Sequence, residues 1–183
     1  MTSLDICNIA LSKIGAAKIT AMSDKSDISL QNIYNQARDG LLIKYPWNFA
    51  RAREELTPND EAPAFEWAYA YDLPMDFIGR PELYNSKAEF IIEGLTLLCN
   101  DDKIQLKYTA QVTDVTMYNS LFIECLILGV ASELAVIITN DQRLKDSLAA
   151  EQRVKLYNAF LLNEYDNNAT EVEELTTWQQ AGH

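Results

Sequence analysis

The feature that most constrains the fold is a change of hydrophobic period at Pro46. Before it, the apolar residues of 28–44 recur every three or four positions, which predicts an amphipathic helix. Pro46 disfavours the α conformation at Tyr45, so this helix should end there. The segment Trp47–Phe49 is predicted to be extended, and from there to about Val112 the apolar period shortens towards two. The chain must therefore combine helices with a β-rich part.

Helical patterns occur on both sides of this β-rich part. The first helix can be capped by Thr2 or Ser3 and ended by Gly15. Asp114 can cap a third helix, and Thr139–Asp141 separates it from a fourth. The fourth helix carries apolar side chains at Leu144, Leu148, Val154, Tyr157, Leu161 and Tyr165.

These patterns predict an α+β fold that is mainly α with a β-rich insertion. Two N-terminal and two C-terminal helices should form an antiparallel helical bundle from residues 1–46 and 113–168. Residues 47–112 form a small β and loop lobe between the two pairs of helices. Residues 169–183 are predicted to be a flexible acidic C-terminal tail.

The β-rich insertion contains several strand patterns. Residues 51–56 fit either a short strand or a helical turn. The aromatic alternation of Phe65–Tyr71 is typical of a strand, and Leu73–Asp76 should turn the chain. A hairpin is predicted around Gly94, followed by an alternating strand at 104–108.

Charge and cysteine content limit the classes of function. The formal net charge is −12, which argues against a surface built to grip nucleic acid. It is compatible with letting DNA pass without adhering. The three cysteines stand singly in apolar runs, which favours buried reduced thiols over disulfides or a zinc site. The apolar segment Leu121–Ile138 approaches membrane-spanning length, but it contains Glu124 and Glu133, so we expect a buried helix and no membrane contact.

The usual signatures of catalysis are missing from the sequence. The only histidine is His183, and no glycine-rich phosphate loop occurs. Residues 24–27 offer some oxygen ligands but lack the spacing of a calcium loop, so capping of the second helix is favoured. We therefore expect a protein that is not an enzyme and has no catalytic, cofactor or metal site.

Two alternatives to a purely structural role stay open at this point. A small polysaccharide hydrolase would need a carboxylate pair such as Glu54 and Asp76 converging in a cleft. An acidic protein-interaction module that mimics DNA would present its carboxylates as a stripe. Arg51 and Arg53 could form a small nucleic-acid patch, but pairing with local carboxylates is favoured.

Candidate contact residues fall into three groups. Aromatic and polar residues around the helix-to-strand hinge should join the bundle to the insertion or form a subunit interface: they are Trp47, Asn48, Phe49, Arg51, Trp67, Tyr69 and Tyr71. The third helix is apolar nearly all round, so it can face a neighbouring subunit through Leu121, Phe122, Cys125, Leu128 and Ser132. The tail has two large apolar candidates, Leu175 and Trp178.

Several segments, in order along the chain, resemble one known family. They are Leu11–Gly15 with Ile19–Met22, Tyr34–Leu42, Pro46–Ala50, Trp67–Asp76, Tyr108–Asp114 and the helix Leu121–Ile138. Together they are similar to the tail tubular protein A family of short-tailed bacteriophages, over roughly Leu4 to Tyr165.

The resemblance implies a non-catalytic head-to-tail adaptor. Members of this family form a twelve-subunit ring beneath the portal protein and offer a platform to the tail nozzle protein. It implies a homododecamer located at the head-to-tail junction of the virion, and in the host cytoplasm during assembly. DNA would pass through the channel of the ring without specific binding.

Overall fold

The computed structural model describes residues 1–22, 29–84 and 89–180, with side chains as far as Leu161. The chain has an α+β fold in which helices at both ends flank two small antiparallel sheets, as predicted. The described helices are α1 (Ser3–Lys13), α2 (Leu30–Lys44), α3 (Ser120–Thr139) and α4 (Gln142–Gln180).

The chain divides into two compact units. Unit 1 contains Met1–Leu41 and Asp114–His183, and unit 2 contains Leu42–Thr113. The sequence patterns had placed the corresponding boundaries at 46/47 and 112/113.

The helices of unit 1 begin and end at local signals. Thr2 and Asp5 form a reciprocal capping box at the start of α1, which satisfies two backbone N–H groups. Gly15 follows α1 with a φ of 71°, a conformation that costs glycine little. Asn140 ends α3 in the left-handed region, and the Asp141 carboxylate caps α4. These ends are confirmed.

Two predictions about the C-terminal helices need correction. Asp114 does not cap α3: it caps a short 3₁₀ turn, and α3 begins at Ser120 with Asn119 as its cap. The helical bundle was predicted to end at 168, whereas α4 continues to Gln180. The flexibility predicted for residues 169–183 stays a prediction.

Unit 2 holds two three-stranded antiparallel sheets. Sheet A has the order β1-β6-β3 and sheet B the order β2-β5-β4. The strands are β1 (Arg51–Leu56), β2 (Tyr69–Asp72), β3 (Phe77–Leu83), β4 (Phe90–Glu93), β5 (Thr96–Cys99) and β6 (Ile104–Ala110). Both sheets contribute to one core, whose fully buried members include Tyr71, Leu97 and Ile104. The hairpin at Gly94 and the strand at 104–108 are confirmed, and 51–56 is a strand.

Two local predictions in unit 2 are wrong, and one strand was missed. Trp47–Phe49 is not extended throughout, because Asn48–Ala50 forms a 3₁₀ turn. In this turn the Ala50 N–H donates a hydrogen bond to the Trp47 carbonyl at 3.0 Å. The aromatic run becomes a strand only at Tyr69. Strand β3 was not predicted, because it contains a proline and its register shifts twice against β6.

Candidate functional site

The centre of unit 1 is α3, which packs against α1 and α4. Ten of its twenty residues are buried. Its two carboxylates pair with lysines of α4: Glu124 with Lys155 at 2.6 Å, and Glu133 with Lys145 at 3.2 Å. These pairs are partly exposed, so they contribute little to stability.

Helix α3 is long and apolar enough to cross a membrane, by length and composition alone. Much of it is buried inside the chain, and its glutamates are paired with lysines. Both observations are typical of the core helix of a globular unit.

The predicted ring-contact residues on α3 are mostly occupied by contacts within the chain. Leu121 is half-buried, and the other four are buried: Phe122, Cys125, Leu128 and Ser132. The apolar character of α3 therefore has an explanation within one chain, and a role for these residues in a ring stays a prediction.

Helix α4 has apolar side chains on two opposite faces. Its inner face buries Leu148, Leu156 and Ala159. Val154, Tyr157 and Leu161 follow one another at three- and four-residue spacing and stand about half a turn away from that face. Their exposed fractions are 63%, 60% and 48%. We call these three residues the outer stripe of α4.

The tail candidates Leu175 and Trp178 lie in the last turns of the same helix. Along the sequence they follow Val154 and Tyr157 by three heptads, the repeat that keeps residues on one side of a helix. Their side chains lie outside the described part, so their role in contacts stays a prediction.

The hinge aromatics lie in unit 2. Trp47 is 4% exposed and packs its ring against those of Tyr45 and Phe49, with centroid distances of 6.3 and 6.0 Å. Asn48 and Arg51 are exposed. The ion pairs predicted for Arg51 and Arg53 are not found among the described side chains. Trp47 is thus buried beside two aromatic neighbours of the same unit, and a role in joining the units stays a prediction.

The aromatic run of 67–71 divides between two environments. Tyr71 is fully buried, and its hydroxyl donates to the Asp101 carbonyl at 2.5 Å. Burial raises the pKa of Tyr71 to about 12, so its proton stays in place at neutral pH. Tyr69 packs at the edge of the same core. Trp67 is half-buried and lines a groove on the outer side of sheet B.

The carboxylate pair considered for a hydrolase lies around one tyrosine. The Tyr108 hydroxyl donates to Asp76 at 2.9 Å and also interacts with Glu54. Burial is the largest cause of a raised pKa for Tyr108, and the interactions with these two carboxylates raise it further. Asp76 stands in an exposed turn beside the fully exposed Met75, and Glu54 is also exposed. The arrangement stabilises the turn before β3, and it does not place the pair inside a cleft of the kind that glycosidases use.

The described cysteines are buried free thiols. Burial raises the pKa of Cys7 and of Cys125 to about 11, which makes both poor nucleophiles at neutral pH. The described residues contain no group of three or more His, Cys, Asp or Glu placed to hold a metal ion. The capping turn predicted at 24–27 lies outside the described residues.

The sequence matches no protein-family model, and no curated protein is significantly similar to it.

Proposed function

We propose that this protein is a structural head-to-tail adaptor of a bacteriophage, without catalytic activity, that forms a ring between the portal protein and the tail nozzle protein. The observation that carries the proposal is the outer stripe of α4. A helix with a buried inner face and an apolar outer face is suited to stand between its own unit and a neighbouring molecule.

The size of the outer stripe fits a contact that is repeated around a ring. Each of its three side chains is roughly half to two-thirds exposed. Burying the exposed part would contribute about 1 kcal/mol per side chain. This is too little to hold two isolated subunits together after the entropy cost of association. A closed ring assembled on a preformed portal would add the contacts of both neighbours and of the portal to this small contribution.

The charge of the chain supports the same proposal. A ring of such chains, each with a formal charge of −12, would be strongly negative. Negative groups along a channel repel the phosphates of DNA, so a passing duplex would not adhere. The same charges repel one another between free subunits, which favours assembly only where the portal is present.

The first test is an electron-microscopy experiment with the protein mixed with a purified portal ring. We expect a closed ring coaxial with the portal channel for the unaltered protein. The double variant Val154→Ser/Leu161→Ser should not form this ring. Its matched control, Ile137→Ser/Met117→Ser, changes two similarly exposed apolar residues outside α4 and should assemble normally.

Light scattering on the pure protein supplies the second test. We expect no dodecamer at low micromolar concentration when the portal is absent. A stable dodecamer under these conditions would refute the dependence on the portal. In the electron-microscopy experiment, normal rings from the Val154→Ser/Leu161→Ser variant would refute the role given to the outer stripe.

A further inference from the structure

A groove of about 500 Å³ lies in unit 2 on the outer side of sheet B. Its floor is apolar and includes Ala70 of β2 and Leu98 of β5, which are paired in register. Its wall is the loop before β2, which carries Phe65 and Trp67. The volume lies in the range of ordinary ligand pockets.

The loop that forms the wall is held at several points. The Asn59 backbone N–H donates to the Ala70 carbonyl at 2.8 Å, and its side-chain amide donates to Asp72 at 2.9 Å. At the other end, the Ala68 N–H donates to the Asn100 side chain at 2.9 Å. The wall is therefore built on the sheet and does not depend on a ligand for its position.

A strained turn separates the two aromatic side chains of the wall. The Trp67 N–H donates to the Phe65 carbonyl at 2.9 Å, and Glu66 between them has a φ of 68°. Left-handed backbone at a residue other than glycine costs free energy, and such strain is concentrated at sites of recognition. Phe65 is left 76% exposed at the mouth of the groove.

The rim of the groove is acidic. Its lining includes Glu61, Glu66 and Glu93, and no lysine or arginine is among the described residues that line it. Carboxylates beside aromatic faces attract cations through both ionic and cation–π interactions. The apolar residues of the floor favour a ligand that also carries apolar groups, because such groups gain free energy when they leave water.

We infer that this groove binds an extended segment of a partner protein in which basic and apolar residues alternate. In an extended chain successive side chains point to opposite sides, so apolar groups can enter the groove while lysine or arginine side chains reach the acidic rim. The inference concerns unit 2 alone, and it does not depend on ring formation or on the outer stripe of α4.

The test uses a fluorescein-labelled eight-residue peptide of alternating lysine and leucine, with binding followed by fluorescence anisotropy. Phe65→Ser and Glu61→Lys/Glu93→Lys should each weaken binding about tenfold or more. Phe65 is exposed, so its replacement should not prevent folding. The controls Leu95→Ser and Asp102→Lys/Glu89→Lys change exposed residues outside the groove and should bind as the unaltered protein does.

Three outcomes would overturn the inference. The first is no measurable binding of the peptide. The second is equal binding of a peptide with glutamate in place of lysine, or with serine in place of leucine. The third is equal weakening by a control variant. For Asp102→Lys/Glu89→Lys this would show that the peptide responds only to the overall negative charge, and for Leu95→Ser that it responds to any exposed apolar side chain.

Discussion

Arg80 in β3 holds the end of α2 through two backbone carbonyls. Its guanidinium donates from Nε to the Ile43 carbonyl at 3.1 Å and from Nη2 to the Lys44 carbonyl at 2.9 Å. These carbonyls belong to the last turn of α2, where no N–H of the helix can reach them. Arg80 itself has a φ of 54°, in the left-handed region that favours glycine. One residue therefore combines a stabilising contact with a strained backbone.

Two substitutions separate these opposing contributions. Arg80→Ala loses both hydrogen bonds and keeps the strain, so it should destabilise the protein by about 1 to 2 kcal/mol, since the bonds are exposed. Arg80→Gly loses the same bonds but relieves about 1 kcal/mol of left-handed strain. We therefore expect the glycine variant to be more stable than the alanine variant by about 1 kcal/mol, the reverse of the usual order in strands.

Urea unfolding followed by tryptophan fluorescence measures this difference, because Trp47 and Trp67 both lie in unit 2. Glu55 is the matched control, as it is exposed on β1 and its φ is not positive. Glu55→Gly should be less stable than Glu55→Ala by about 0.5 to 1 kcal/mol. The reasoning would be refuted if Arg80→Ala were as stable as Arg80→Gly.

Four further predictions concern two helix glycines and two buried side chains. Gly129→Ala would place a Cβ 2.6 Å from Gln152 Nε2 and displace its hydrogen bond to the α3 backbone, so urea titration should show no net gain. A Cβ at Gly40 would meet no other atom, so Gly40→Ala should stabilise α2 by about 0.5 to 1 kcal/mol. Equal changes in stability for Gly40→Ala and Gly129→Ala would contradict these two predictions. Trp47→Ala should cost about 3 to 5 kcal/mol, and an unchanged Tm would show that its burial matters little. Burial raises the pKa of Cys7 from 9.0 to about 11, so the folded protein retains a proton that the unfolded thiol releases. The resulting stabilisation is present below pH 9 and lost as the pH rises towards 11. Thiol labelling at pH 9 should be slow in the folded state and fast in urea, and equal rates would refute the shift.

The candidate surfaces could be predicted from the sequence only in part. The spacing of Val154, Tyr157 and Leu161 assigned them to the fourth helix together with Leu148. It did not show that Leu148 lies inside and the other three outside, because that depends on where α3 packs. The groove beside Phe65 was missed, since an aromatic alternation predicts a strand and does not reveal a strained turn.

The sequence by itself determined the α+β class, both ends of α1, the start of α4 and the hairpin at Gly94. These features depend on groups within a few residues of one another, such as the Thr2 and Asp5 capping box, so the local sequence is enough to predict them. Only the tertiary structure decided that β3 joins sheet A and that α4 keeps an apolar outer face. Both depend on residues distant in sequence. Pairing with β6 holds β3 in the sheet although β3 contains a proline, and packing against α3 selects which face of α4 is buried.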